Sequence, residues 1–107
     1  MTDRMKSFLF VYQAGPDPVP AERMQENRRA WRTWSINLRE KYGIHTAGGK
    51  VISGAGMADY TGDIRGASMV DAESLEAALE IARNSPNIPF GGRIIVLQEY
   101  ERPNQTH

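Results

Sequence analysis

His45 is the residue of this chain best suited to acid–base work or metal binding, because imidazole serves as both base and ligand. It stands just ahead of the glycine pair Gly48 and Gly49. A metal would need two or three further donors converging on it, and no His, Asp or Glu lies at its i+2 or i+4 position. The spacing therefore favours a surface or hydrogen-bonded histidine, and no metal is expected. Asp59 and Tyr60 set a carboxylate beside a phenol on a glycine-rich segment. Asp59 with His45 would make an acid–base pair, although aspartate and glycine also build turns for conformational reasons alone. His107, the other histidine, is assigned no role.

Arg28, Arg32 and Arg39 step by four and seven, which places them on one stripe of a helix. Guanidinium forks suit phosphate or carboxylate. Glu22, Glu26 and Glu40 lie close enough in sequence to pair with them, so a solvated, ion-paired face is the plainer reading. Trp31 and Trp34 fall on the apolar stripe of the same helix, where core packing is the default. Trp31 is also placed to reach the mouth of a cleft between that helix and a sheet. A ligand there would meet Trp31, Trp34, Tyr60 and Arg28, with His45 at the edge of the cleft. Gly48-Gly49 and Gly54-Ala55-Gly56 match neither phosphate-binding glycine spacing.

The elements that must position these residues are legible in outline. The chain has 107 residues, the size of one domain. It has no cysteine, which excludes disulfides, thiolate metal sites and cysteine nucleophiles. Thirteen basic residues balance thirteen acidic ones, so neither nucleic acid nor an anionic membrane is the expected partner. Apolar runs are short, four residues at Ile94 to Leu97 and five at Phe8 to Tyr12, against about 20 for a spanning helix. A soluble, cytoplasmic protein is expected, with flexible ends over 1–5 and 103–107.

Residues 7–13 are aromatic and β-branched and read as a strand. Pro16, Pro18 and Pro20 make the next segment a stiff loop. Met24, Trp31, Trp34, Leu38 and Tyr42 then predict a helix over 21–42, closed by Gly43. Residues 44–53 read as a strand broken at the glycine pair, 54–62 as a flexible connection, and 63–70 as a weaker strand. Asp71 or Ser74 caps a second helix carrying Leu75, Ala78, Leu79 and Ala82, which Pro86 ends. Residues 91–100 are the clearest strand. The order predicts an α+β fold, a ferredoxin-like βαββαβ sandwich with a four-stranded sheet and two helices on one face.

Side chains alternate along a strand. Phe8, Phe10 and Tyr12 therefore face one way and Leu9 and Val11 the other; Ile94 and Val96 likewise oppose Ile95 and Leu97. Two helices cover one face only. Leaving the second wet forfeits about 1.5–3 kcal/mol per large apolar side chain. A second copy set sheet to sheet is the expected remedy.

Residues 70–82, then Pro86 and Gly91-Gly92 before an apolar strand, together with Trp31 through Gly48, resemble YCII-related domains, in particular their DGPF branch. The resemblance covers most of the chain and implies a dimeric α+β barrel with a ferredoxin-like protomer. It also implies a catalytic pair, a histidine in the first helix and an aspartate after the second. Matching through Thr46-Ala47-Gly48 sets the histidine position on Trp31, and matching through Pro86 sets the aspartate position on Ser85. Neither residue exchanges a proton as its counterpart would. The DGPF tetrapeptide is missing as well, residues 54–62 standing in its place. The family's activity is therefore not carried over, and whether the chain is an enzyme stays open. The first expectation is a homodimer that binds a small organic ligand between helix and sheet, without a cofactor. A cofactor-free lyase, isomerase or oxygenase using His45 and Asp59 is the second. A regulatory accessory protein, hinted at by the resemblance, is the third.

Overall fold

The computed structural model describes residues 5–38, 40–60 and 62–100. The expectations for the chain ends, for His107 and for Arg39 fall outside them, Met5 excepted. The elements run β1 (Lys6–Gln13), a 3-10 turn (Ala21–Arg23), α1 (Met24–Leu38), β2 (Tyr42–His45), β3 (Lys50–Ser53), β4 (Gly56–Asp59), β5 (Ile64–Ala72), α2 (Leu75–Ala82), a 3-10 turn (Ile88–Phe90) and β6 (Arg93–Gln98). The fold is α+β. Four strands form one antiparallel sheet in the order β2-β5-β1-β6, and β3 with β4 forms a separate hairpin.

The alternation of β1 sets the core. Phe8, Phe10 and Tyr12 are buried, and the register puts Val70 beside Phe8 and Ser68 beside Phe10. Trp34 and Leu38 of α1 close over this face, as do Ala78 and Ala82 of α2, whose small side chains let the helix lie close. Ser74 starts α2 by accepting the Ala77 N–H at 3.1 Å, satisfying one of the donors a helix start leaves orphaned.

Two sequence readings need correction. The first helix stops at Leu38, and Tyr42 and Gly43 belong to β2, paired with Met69 and Ser68. The four-residue step from Leu38 to Tyr42 mimics one more helical turn, but the ladder to β5 satisfies the backbone there instead. The connection at 54–62 is also not structureless. Gly48, at φ 89°, turns the chain off the sheet after β2, and the following residues fold back as β3 and β4 about Gly54-Ala55. This hairpin stands exposed along its length, Ile52 and Met57 included.

The second sheet face is apolar in rows. Tyr42, Met69, Leu9 and Leu97 lie side by side across the four strands, as do Ile44, Ala67, Val11 and Ile95. Tyr42, Ile44, Met69, Ile95 and Leu97 are exposed. Among the described residues no helix is long and apolar enough to cross a membrane.

Candidate functional site

A cleft of about 1000 Å³ opens between α1, the ends of β1 and β5, and the loop 14–19. The loop holds its shape through Pro16 and Pro18 and through Gly15. A Cβ on Gly15 would lie 2.7 Å from the Gly91 carbonyl carbon and the Phe90 oxygen, so only glycine lets this wall rest on the turn before β6. Asn87 fastens the same region, its side-chain N–H groups donating to the Gln13 and Arg93 carbonyls at 2.8 Å each.

The floor is aromatic. Tyr12 meets Trp31 edge-on with ring centres 5.0 Å apart and Trp34 at 6.4 Å. Buried as it is, the Tyr12 hydroxyl donates to Ser68 Oγ at 2.7 Å and accepts from Trp34 Nε1 at 2.9 Å. Burial pushes the phenol above its ordinary pKa, with the bonds to Ser68 and Trp34 acting the other way. Along α1, Arg28, Trp31, Arg32 and Ser35 fall on the stripe that lines the cleft, whereas Trp34 and Leu38 fill the core.

The opposite rim comes from the sheet. His45 lies across from Gly66 on the helix-covered side and borders the cleft while remaining exposed. Arg65 enters through an irregularity in the β1–β5 ladder. Tyr12 pairs with Gly66 and Gln13 with Ile64, so Arg65 has no opposite number and its side chain is re-aimed into the cleft. Thr46 ties down this end, its N–H donating to the Arg65 carbonyl at 3.1 Å and its hydroxyl to the Ile64 carbonyl at 2.9 Å.

The structure therefore brings Trp31, Arg28 and His45 to one site. Trp34 lies behind the floor. Tyr60 sits apart, its phenol accepting the Ile64 N–H at 3.2 Å. Asp59 pairs with Lys50 at the base of the hairpin. The His45–Asp59 acid–base pair is not assembled, because the segment carrying Asp59 is a strand of the projecting hairpin rather than a loop over the sheet. Asp17 is the carboxylate on the cleft wall, and among the described residues no hydrogen bond joins it to His45. No three potential metal-ligating side chains converge among the described residues. Tyr12 and Arg65 were not anticipated as site residues. The bulge that aims Arg65 leaves no mark in the sequence, while Tyr12 carried a signal, a hydroxyl at a buried strand position.

A second groove, about 820 Å³, runs between α1 and α2 over Trp34, Leu38 and Ile81. Arg23 closes one end, its guanidinium carbon 4.6 Å from the Phe90 ring centre. The same guanidinium is bonded to Glu26, holding that carboxyl below its usual range. Ser85 is buried beside this groove and bonds to Asn87. Trp31 and Ser85, the positions matched to the YCII catalytic pair, thus line different cavities. No protein-family model matches the chain, and no curated protein matches it.

Proposed function

We propose that this chain is a homodimeric domain of the YCII-related type that binds a small organic ligand between α1 and the sheet. The observation that carries this reading is the cleft itself. Its volume is that of a small-molecule site, and it combines an aromatic floor with a few polar groups at the rim. Setting the β3–β4 hairpin aside, the sheet order becomes second, third, first, fourth, which supports a ferredoxin-like protomer. The two apolar rows on the open face support pairing with a second copy, and Ile52 and Met57 on the hairpin add further exposed apolar surface.

Titrating labelled protein with a library of small aromatic and aliphatic compounds tests the ligand. Amide shifts should cluster at 14–19, 27–36 and 65, and Trp31→Ala should abolish them. Shifts scattered elsewhere, or none, would remove the reading. Sedimentation tests the pairing. Leu97 is about half exposed, so burying the rest of it in both copies contributes about 2 kcal/mol. Leu97→Glu reverses that gain and buries two carboxylates, so a micromolar dimer should become a monomer. A monomeric parent chain would defeat the sheet-to-sheet proposal.

A further inference from the structure

Cationic side chains converge on the cleft. Arg28 and Arg32 reach it from α1 and Arg65 from the β5 bulge, so three guanidiniums from two elements border one cavity. Among the described residues none of the three lies within 4.0 Å of a carboxylate, although four ion pairs form elsewhere. Beside the second groove Arg23 is paired with Glu26, and Arg29 alone lines it without an ion pair among the described residues. Among the described residues Asp17 is the one acidic residue lining the cleft, so guanidiniums outnumber it three to one. Below them lie Trp31 and Tyr12, an apolar floor on which a flat body can rest.

From this juxtaposition we infer that the ligand is an organic acid, its flat apolar body against Trp31 and its carboxylate between the forks of Arg28, Arg32 and Arg65. The inference rests on the cleft reading above and adds the sign and kind of group recognised. Planar guanidiniums bind carboxylates through two parallel N–H donors. Unpaired ones converging on a cavity offer that fork without first breaking an internal ion pair.

Calorimetric titration with 2-naphthoate and with 2-naphthamide isolates the charge, because the two probes share a ring system and nearly a shape. The acid should bind about tenfold more tightly, the margin of one charge-assisted hydrogen bond at a water-accessible site. Arg65→Met and, separately, the exposed-surface variant Arg28→Met should each narrow that ratio, and raised salt should shrink it in the parent protein. Equal binding of acid and amide would overturn the inference while leaving the cleft reading intact. So would a ratio unchanged in both arginine variants. Binding of neither probe would overturn the two together.

Discussion

Removing one oxygen from Tyr12 should cost this fold more than most single changes. The Tyr12 hydroxyl has two partners, Ser68 Oγ and Trp34 Nε1, and all three residues are buried, at 5%, 4% and 9% exposure. Tyr12→Phe keeps the ring and its packing but deletes both bonds. It strands the Trp34 indole N–H, which has no other hydrogen-bond partner among the described residues. A lost buried bond costs about 1 kcal/mol and an orphaned buried donor about 1–3 kcal/mol, so the variant should lose about 2–3 kcal/mol. At this chain length each kcal/mol lowers Tm by about 4–8 °C. Ser68→Ala removes only the acceptor and should cost about 1 kcal/mol. The double variant leaves the indole as its main orphan, so its loss should fall short of the sum by about 1 kcal/mol. Urea unfolding of the four proteins, with unchanged slope, measures the cycle. A Tyr12→Phe loss under about 0.5 kcal/mol, or strict additivity with Ser68→Ala, would refute the idea that this chain of bonds joins α1 to the sheet.

The Tyr12 phenol also predicts a pH dependence. Its folded pKa is raised by burial, so the folded state holds the proton more tightly than the unfolded chain does. That contribution is fully present below tyrosine's ordinary value of about 10 and is lost as pH rises above it; alkaline unfolding curves for the parent should show this limb and those for Tyr12→Phe should lack it. Ser74→Ala should cost about 1 kcal/mol by removing the α2 cap, and Ser74→Asp should restore most of it, as thermal unfolding would reveal. Gly15→Ala should cost about 1–3 kcal/mol, because its Cβ meets backbone rather than a movable side chain, and amide shifts should spread to residues 90–91.

How much of this was legible in the sequence follows from which interactions are local. Alternation in residues 7–13 and 94–97 is a property of single strands, and it correctly gave the two-faced sheet. The Ser74 cap and the Leu75–Ala82 helix are equally local. The end of α1 is not legible locally because periodicity continues through Tyr42, and only pairing with Met69, far along the chain, draws that residue into a strand. Residues 50–53 fall within the strand read over 44–53, but their pairing with β4 is not legible, for a related reason. The hairpin's strands are four residues each, KVIS and GMAD, with too little apolar alternation to stand out. Trp31 and Arg28 could be placed at a cleft because they share a helix face. Arg65 could not, since its direction depends on a bulge set by the register against Tyr12 and Gln13.

That bulge and the buried phenol belong to one device. Alternation along β1 forces Tyr12 inward with its hydroxyl, and a buried hydroxyl must find partners. The nearest are Ser68 on the neighbouring strand and Trp34 on the helix above. The Trp34 bond fixes how far α1 is rolled about its own axis. Trp31 lies three residues earlier, about 60° around the helix, so the same roll sets Trp31 edge-on to Tyr12 and brings Arg28 and Arg32 to the cleft. Immediately beyond Tyr12 the ladder slips, and Arg65 turns in from the other side. The core bond and the cleft are therefore coupled through one side chain. Tyr12→Phe should disturb amide and indole signals at Arg28, Trp31 and Arg65, whereas Ser74→Ala, which loses its stability at the α2 cap, should leave them in place. Undisturbed cleft signals in Tyr12→Phe would mean that α1 takes its roll from packing alone.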